Sequence, residues 1–444
     1  IESTSNQSAE PPLESTNMLG NARIKRIDWL IVGIYLFLVL AGWLNIYAAS
    51  SPAEPGSPFD WSAVYGKQLV FIGISLVMIW LLFLLETRWI ERFSSIAYIL
   101  SLVLLAGLFV AGKTISGATS WYGLGFFNFQ PSELAKITAA LALGKYLSDV
   151  QIDMKRSLTQ WSVILIILLP ALLVIPQPDP GSALIYFTLI FVLFREGFPL
   201  TFLWVGMYGI LLFIATLKWG ALWASSGVLL LGTLLFYQAK KRFKWRMPMA
   251  LLILVLSVAG SFSVNYIYEE VFEQRHRDRF SLWLDLEKDP DVLKKINKTI
   301  GYNAYQSEKT IESGGFWGKG FLEGSRTKGN FVPEQHTDYI FSTIGEEWGF
   351  VGSFSVILAF SVLLIRLWQR AEAQTNKFNR IYGYGVISIL GFHYIINIGM
   401  VLGLLPTIGI PLPLISYGGS GMLFFTLLLF LFVKLDSNRL SEWD

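Results

Sequence analysis

The chain alternates between long apolar segments and short polar connections. A helix that crosses a membrane needs about 20 predominantly apolar residues, and twelve segments approach or exceed that length. The pattern therefore predicts an all-α polytopic membrane protein of about 12 transmembrane helices. These segments lie at about 29–49, 67–85, 94–112, 133–148, 160–176, 181–195, 198–217, 221–238, 248–268, 338–366, 381–404 and 413–434.

Composition supports a membrane protein. Hydrophobic residues make up 53% of the chain and charged residues only 15%, whereas soluble domains have about 25% charged residues. The chain has no cysteine, which excludes disulfides and thiolate metal sites. A net charge of +3, spread along the chain, gives no indication of a nucleic-acid partner.

The orientation follows from the lysines and arginines of the short connections, which are enriched on the cytoplasmic side of membrane proteins. Placing both termini in the cytoplasm puts most of these cations inside, whereas Lys113 and Lys218 are scattered on the other face. Residues 1–22 are polar and predicted to be a disordered cytoplasmic N-terminus. The cations predicted inside include Arg23, Lys25, Arg26, Arg88, Arg92, Lys155, Arg156, Arg195, Lys240, Lys241, Arg242, Lys244, Arg246, Arg366, Arg370, Lys377, Arg380, Lys434 and Arg439.

Two exterior segments are too long to be simple turns. Residues 113–132 are rich in glycine and aromatic residues and are predicted to fold on the membrane surface. Residues 269–337 form a large loop that mixes acidic, basic, aromatic and glycine residues. Loops longer than about 15 residues in compact proteins are usually functional or disordered. The tryptophans and apolar residues of the large loop favour function, so we expect the chemistry there.

Polar residues at the start of the fourth segment allow a structural and a functional interpretation. Pro131 suits a first helical turn, and Ser132 or Glu133 could satisfy its free N–H groups. Lys136 lies one turn further into the membrane, where a cation either reaches back to the interface or serves a functional site. In the same way Asp179, between two prolines, is either a helix cap or a site residue.

The large loop contains the groups for phosphate and acid–base chemistry. Clustered arginines, including Arg275 and Arg279, suit phosphate oxygens, although a solvated helix end is the plainer alternative. Spacing alone does not select among the nearby acids. The glycine-rich run 313–320 lacks the lysine position of a phosphate-binding loop, and His336 has no second histidine at ligand spacing. Ser416 begins a glycine-rich break in the last segment, which predicts either a polar cavity or close helix packing.

Five ordered motifs resemble the SEDS family, the RodA and FtsW polymerases of bacterial cell-wall synthesis, with RodA the nearer match. The resemblance covers nearly the whole chain after residue 28. It implies a glycosyltransferase that polymerises lipid II into peptidoglycan strands together with a class B penicillin-binding protein. The motifs are QPSELAK at 130–136, QPDPGSA at 177–183, GGFWGKG at 314–320, FVPEQHTDYIFSTIGEEWGFVG at 331–352 and ISYGGSGM at 415–422.

The resemblance also implies roles for residues. The family's essential aspartate matches Asp289, which precedes Pro290 and an insertion at 291–300; Asp285 and Asp291 are the substitutes. We expect this acid to act as a general base, with inversion at the anomeric carbon. A divalent cation, Mg²⁺ or Mn²⁺, could assist, and no organic cofactor is expected. The expected substrate-binding residues are Lys136, Glu133, Ser132, Asp179, Arg275, Arg279, His336 and Ser416.

The chain departs from the family in two respects. Ser120 and Asn128 stand where the family commonly has arginine, and Lys113 could compensate. Three segments between 198 and 268 stand where one of the family's usual ten helices is expected, which predicts a two-helix insertion. A flippase or transporter of lipid-linked precursors is the main alternative function, and a scaffold is a second alternative.

Overall fold

The computed structural model describes residues 27–51, 57–115, 117–125, 127–239, 247–272, 274–286, 300–333 and 335–439. The predicted disordered segment 1–22 lies outside these residues. The helices are α1 (Trp29–Ser50), α2 (Val64–Leu84), α3 (Thr87–Ala111), α4 (Pro131–Ser148), α5 (Ser157–Val174), α6 (Pro180–Phe187), α7 (Ile190–Arg195), α8 (Thr201–Trp219), α9 (Ala221–Ala239), α10 (Met247–Tyr266), α11 (Gln274–Leu284), α12 (Ile300–Gly314), α13 (Ser325–Lys328), α14 (Ile340–Glu372), α15 (Lys377–Val401) and α16 (Gly419–Ser437).

The predicted fold class is confirmed. Within the described residues, nine helices are long and apolar enough to cross a membrane, and Pro180–Arg195 and Ala221–Leu234 are shorter apolar helices. The 18-residue α4 carries Glu133, Lys136 and Lys145, and these charges lower its mean hydropathy. Nine long spans, two shorter ones and α4 are consistent with the predicted twelve.

Helices α4, α15 and α16 form the centre of the bundle. A Cβ built on Gly385 of α15 would lie 2.8 Å from the Cβ of Ala140 in α4, and one on Gly383 would lie 2.5 Å from the ring of Phe432 in α16. Small residues permit such close approach, and dispersion contacts then hold membrane helices together. Most of α4 is consequently buried, so its polar groups must find partners inside the bundle.

Helices α8, α9 and α10 form a peripheral group. They pack mainly on one another and expose large apolar side chains, among them Trp204, Leu222 and Leu256. Such faces suit the hydrocarbon of a bilayer. The rings of Phe213 in α8 and Phe280 in α11 lie 5.5 Å apart, so this group supports the start of the exterior loop. It is also the region in which the sequence predicts two helices beyond the family's usual ten.

Ion pairs join three helix ends at one face of the bundle. Asp28, the N-cap of α1, lies 2.8 Å from Arg366 and 3.3 Å from Arg370, both near the end of α14. Arg370 also pairs with Asp436 of α16 at 2.6 Å. The start of α1 and the ends of α14 and α16 therefore share a face, which agrees with the prediction that both termini lie on one side.

Residues 113–129 form a small antiparallel sheet on the opposite face, with β1 (Lys113–Ile115), β2 (Ala118–Gly123) and β3 (Asn128–Phe129) in the order β1-β2-β3. Lys113 pairs with Trp121 across the first two strands. Ser120 is buried and donates a 3.4 Å hydrogen bond to the carbonyl oxygen of Gln177. The position where the family commonly has an arginine therefore holds a small side chain packed against the α5–α6 connection.

The glycine-rich run at 314–320 forms backbone hydrogen bonds with α14 at a kink in that helix. Gly349 has φ 63° and ψ −157° and kinks this helix. Amide groups that the kink frees donate to the run: Phe350 N–H to the Gly315 oxygen at 2.9 Å and Val351 N–H to the Phe316 oxygen at 3.2 Å. In the other direction, Lys319 N–H donates to the Glu346 oxygen, and Gly320 N–H donates to the Glu347 oxygen, both at 3.0 Å. Unpaired backbone groups are costly near hydrocarbon, so this run is a structural element of the kink.

We expect Gly318→Ala to destabilise the protein more than Gly315→Ala. Both glycines have positive φ, 82° and 60°, so both substitutions carry the same kind of left-handed strain, about 1–2 kcal/mol. Only at Gly318 would the new Cβ also meet backbone, 2.2 Å from the Glu347 oxygen, while nothing lies within 4 Å of one at Gly315. Thermal unfolding of both variants in nanodiscs checks this difference. Equal losses would show that the close contact with α14 does not matter.

Candidate active site

The first motif begins helix α4, as predicted, but its polar residues do not cap it. Pro131 is the first residue of α4, and the N-cap Gln130 makes no capping bond through its side chain. Ser132 is buried, and its hydroxyl donates to Ser182 Oγ at 3.4 Å. The Glu133 carboxylate accepts a hydrogen bond from the Lys136 ammonium at 2.7 Å and does not cap the helix. The expected cap at Ser132 or Glu133 is therefore replaced by contacts inside the bundle.

Asp179 is a helix cap that also connects two motifs. One carboxylate oxygen accepts the N–H of Ser182 at 3.0 Å, which caps α6. The other accepts the side-chain amide of Gln130 at 3.1 Å. Tyr186 of α6 adds a hydrogen bond from its hydroxyl to the Ser132 carbonyl oxygen at 2.9 Å. The starts of α4 and α6 are thus fixed together, and the structural interpretation accounts for these contacts of Asp179.

Lys136 lies inside the bundle and does not reach back to the membrane surface. Only 2% of its area is exposed. Its ammonium donates to Glu133 Oε1 at 2.7 Å and lies 3.1 Å from Nε2 of His393 in α15 and 5.8 Å from the ring centre of Phe425 in α16. Because an ammonium group only donates, Nε2 is the acceptor. Three helices therefore meet around one paired cation.

His393 is a member of this cluster that sequence reasoning missed. It is 1% exposed, and its ring meets that of Phe425 edge to face at 4.9 Å. The available signal was a histidine within an apolar span, since ionisable residues at membrane depth face the bundle interior and pair with one another. Spacing along the chain gave no such signal, because His393 and Lys136 are 257 positions apart.

Ser416 and His336 join two of the motifs at the exterior end of the bundle. The Ser416 hydroxyl donates to the carbonyl oxygen of Thr337 at 2.6 Å and accepts the N–H of Leu412 at 2.8 Å. The N–H of Tyr417 donates to the carbonyl oxygen of His336 at 2.8 Å. The irregular backbone before α16 is therefore paired with the segment before α14. This arrangement brings the two motifs together and gives Ser416 a structural role.

Of the two predicted arginines of the loop, the structure describes the side chain of Arg279. This residue lies on α11, and its guanidinium donates to the carbonyl oxygen of Ile408 at 3.5 Å. Arg275 lies one turn earlier on α11, and its side chain is outside the described residues. Asp289, Asp291 and the insertion up to residue 299 are also outside them. Their predicted roles stay predictions.

Asp285, one of the two substitute acids, follows the last residue of α11 and has a left-handed backbone conformation. The N–H of Leu286 donates to the Ser281 oxygen at 2.9 Å, and the N–H of Asp285 donates to the Leu282 oxygen at 3.3 Å. These two bonds define a Schellman motif, whose left-handed position is usually glycine. Asp285 occupies that position with φ 54°, and it is exposed.

Two physical rules disfavour an aspartate at this position. A left-handed backbone costs most L-residues about 1–2 kcal/mol, although aspartate adopts it more readily than most. A negative charge also opposes the negative end of the helix dipole. Backbone outliers of this kind cluster at functional sites, and an observed outlier supports a functional hypothesis. Asp285 is therefore a second candidate acid of the loop, beside Asp289, which lies outside the described residues.

Glu346, near the start of α14, organises the part of the large loop that follows the glycine-rich run. The Lys319 ammonium pairs with Glu346 Oε1 at 2.5 Å, and the same oxygen accepts the N–H of Arg326 at 3.0 Å. Thr327 donates both its N–H and its hydroxyl to Oε2 at 2.7 Å. Glu346 is fully buried, so its charge is balanced and hydrogen-bonded throughout. This carboxylate serves to hold the loop.

The described part of the chain contains no cluster of side chains that could bind a metal ion. Among these residues, no three histidine, aspartate or glutamate side chains lie together in a way that could hold one. Five acidic positions of the large loop, 273, 287, 289, 291 and 334, lie outside them. The expected Mg²⁺ or Mn²⁺ thus stays a prediction.

The chain is similar in sequence to one family of proteins and to relatives that are named for the same activity. Residues 28–440 match the FtsW/RodA/SpoVE family, described as cell cycle proteins. The chain is 32% identical over 354 residues to the peptidoglycan glycosyltransferase MrdB of Escherichia coli K12, covering 79% of this chain and 80% of MrdB. It is 29% identical over 429 residues to the peptidoglycan glycosyltransferase RodA of Treponema pallidum, covering 90% and 95%.

A solved structure has a similar fold. The chain aligns with a protein from a study of polymerization and crosslinking by a peptidoglycan synthase complex, with a TM-score of 0.68 and 28% sequence identity. The alignment covers 93% of this chain and 98% of that one. The similarity therefore includes the membrane bundle and the exterior loop.

Proposed function

The chain belongs to the FtsW/RodA/SpoVE family of cell cycle proteins, and we propose on this basis that it polymerises lipid II into peptidoglycan strands. It is a peptidoglycan glycosyltransferase, the activity for which its relatives MrdB and RodA are named. We place the reaction at the outer face of the cytoplasmic membrane, where it serves cell elongation and shape. Both termini then lie in the cytoplasm.

The proposed reaction is a direct displacement at an anomeric carbon. A hydroxyl of the acceptor sugar forms the new C–O bond, while the bond from that carbon to the lipid diphosphate breaks. The electron pair of the broken bond leaves with the diphosphate, and a general base takes the hydroxyl proton. One base and no carboxylate nucleophile correspond to inversion.

We assign the general base to the acidic segment 285–291, and within it to Asp285. The observation that carries this assignment is an exposed carboxylate held at the end of α11 in a backbone conformation that favours glycine. Such a carboxylate is open to a substrate, as proton transfer requires. Asp289, the residue that the family pattern indicates, is the alternative within the same segment.

Arg279 and Lys136 have different proposed roles: Arg279 contacts the substrate, and Lys136 supports the site through the fold. Arg279 lies on the same helix as Asp285, and its guanidinium can donate to diphosphate oxygens as negative charge develops there. Lys136 is paired and buried, so we propose that it fixes the positions of α4, α15 and α16 around the site. Glu133 and His393 act with it. Ser132, Asp179, His336 and Ser416 support the same framework through the contacts described above.

A flippase is the alternative function, and the buried Lys136–Glu133 pair favours it specifically, since intramembrane ion pairs also line transport pathways. The deciding experiment reconstitutes the purified protein in liposomes with lipid II, with and without a class B penicillin-binding protein as the proposed partner. We expect glycan polymer on gels, with a higher yield when the partner is present. Movement of lipid II between leaflets without polymer would support the flippase instead.

A further inference from the structure

Four cations beside the starts of α3 and α5 lack an acidic partner. Arg88 and Arg92 lie in the first two turns of α3, whose start contacts the end of α16. Lys155 and Arg156 lie directly before α5. All four side chains are exposed, and none of them forms an ion pair with a residue that the structure describes. Their charges are therefore available to a partner outside the chain.

Other arginines at the same face of the bundle are neutralised within the protein. Arg195 at the end of α7 lies 2.9 Å from Glu372, and Arg380 of α15 lies 3.2 Å from Glu196. The arginines near the end of α14 pair with aspartates of α1 and α16 in the same way. The four cations beside α3 and α5 thus differ from these arginines in charge balance, although they share the same face.

The acids of this region do not balance the four cations. Glu91 pairs with Lys145 near the end of α4 at 2.9 Å, which also places the α4–α5 connection beside the start of α3. The carboxylates of Asp149 and Asp153 accept backbone N–H groups of that connection. Glu86, the N-cap of α3, is the remaining acid, so positive charge is in excess.

Helices α3 and α5 lie side by side, with aromatic side chains at a similar depth. The Tyr98 hydroxyl of α3 donates to the Ile166 carbonyl oxygen of α5 at 2.9 Å. Phe93 precedes Tyr98 by five residues and Trp161 precedes Ile166 by five, which corresponds to about 7.5 Å along each helix. Both aromatic side chains are exposed, by 45% and 66%. They are therefore placed to contact lipid next to the cations.

The aromatic and basic side chains of α3 also contact one another. The rings of Trp89 and Phe93 stack at 5.4 Å, and the Arg92 guanidinium lies 5.7 Å from the centre of the Trp89 ring. Tryptophan collects at the level of the lipid headgroups, and arginine keeps its charged end in the polar layer while its stem covers apolar surface. The guanidinium groups are therefore expected at the level of the lipid phosphates.

We propose that this surface binds the headgroup of an anionic phospholipid. Guanidinium groups bind phosphate oxygens with two hydrogen bonds, and basic surfaces between membrane helices bind such headgroups. The exposed aromatic residues favour a lipid over an acidic soluble protein, because a lipid offers acyl chains beside its phosphate. Under the proposed orientation the lipid belongs to the cytoplasmic leaflet. The α3–α5 patch consists of Arg88, Trp89, Arg92, Lys155, Arg156 and Trp161.

Native mass spectrometry of the full protein measures the binding of phosphatidylglycerol, with zwitterionic phosphatidylcholine for comparison. Arg88→Gln/Arg92→Gln should weaken binding of the first phosphatidylglycerol about 25-fold, since each cation near a lipid surface contributes about fivefold. Arg195→Gln/Arg380→Gln is the matched control. It removes the same charge from the same face, but both arginines are paired with acids, so we expect binding within about twofold of the parent protein.

A second variant, Lys155→Gln/Arg156→Gln, removes the cations of the patch next to α5 and should weaken binding to a similar extent. Equal weakening by the control variant would show a general effect of charge and overturn the site. Equal binding of the two lipids by the parent protein would overturn it as well. Preferential binding of polyglutamate would assign the patch to an acidic protein instead.

The leaflet is tested by labelling. The chain has no cysteine, so Val150→Cys introduces a single thiol at a 99% exposed position of the α4–α5 connection. We expect an impermeant maleimide to label it after lysis but not in intact spheroplasts. Labelling of intact spheroplasts would overturn the cytoplasmic assignment. None of these measurements involves polymerisation of lipid II, so the lipid site and the proposed function can fail independently.

Discussion

Asp285→Gly is expected to slow polymerisation of lipid II by about 10²–10⁴-fold, the contribution of a positioned general base. The same substitution should leave the unfolding temperature unchanged or raise it, since glycine is favoured at the left-handed position of a Schellman motif. It also removes a negative charge from a helix C-terminus. Lost activity with retained stability would separate catalysis from folding. Gel analysis of polymer and thermal unfolding of the same proteoliposome preparation measure the two effects.

Asp289→Asn provides the comparison within the same segment. We expect a smaller loss of activity from it, because the geometric argument applies to Asp285. A loss confined to Asp289→Asn would instead identify the base as the residue that the family pattern indicates. Parent-like rates in both variants would contradict a general base in this segment.

Lys136→Met is expected to destabilise the protein by about 3–5 kcal/mol, the usual cost of leaving a buried charge without its partner. Glu133 is only 6% exposed, so water cannot replace the lost ammonium. The double variant Glu133→Gln/Lys136→Met should recover much of this stability, since a buried ion pair often contributes little net free energy over neutral groups. Chemical unfolding in nanodiscs measures the free energies.

Lys145→Met on the same helix is the matched control. Lys145 pairs with Glu91 at 2.9 Å, and the two side chains are 42% and 35% exposed. An exposed pair of this kind contributes roughly 0–1 kcal/mol, so its loss should be small. A similar effect at both lysines would contradict the role of burial. If the double variant Glu133→Gln/Lys136→Met recovers stability but not polymerisation activity, the paired charges also serve the reaction.

The membrane spans could be predicted from the sequence because their signal is local. About 20 apolar residues suffice to identify a span, and α1, α9 and α10 each begin and end within two residues of the predicted segments. The cap at Asp179 was one of two interpretations, and local turn chemistry was enough to suggest it. The short connections also predicted that the start of α1 and the ends of α14 and α16 share one face, whereas the assignment of that face to the cytoplasm stays a prediction.

The site could be predicted only in part because its contacts join distant positions. Lys136 was nominated as an intramembrane cation, but its partner His393 comes from another helix. The sequence showed only that the glycine-rich run lacks the lysine position of a phosphate-binding loop, because its pairing with the Gly349 kink requires the tertiary fold. The left-handed backbone of Asp285 is also invisible in the sequence, since most aspartates do not adopt it. Family resemblance indicated Asp289, which lies outside the described residues, and the backbone adds Asp285 as a second candidate in this segment.

The pairing between the glycine-rich run and the kinked helix has a consequence for biogenesis. The run precedes α14 in the chain, so it leaves the ribosome first, and we expect it to be outside the membrane when α14 is inserted. The amides and carbonyls around Gly349 would then pair at once, without a stage in hydrocarbon with unpaired groups. Moving the run to a position after α14 would reverse this order, and the insertion machinery would have to hold an incomplete helix.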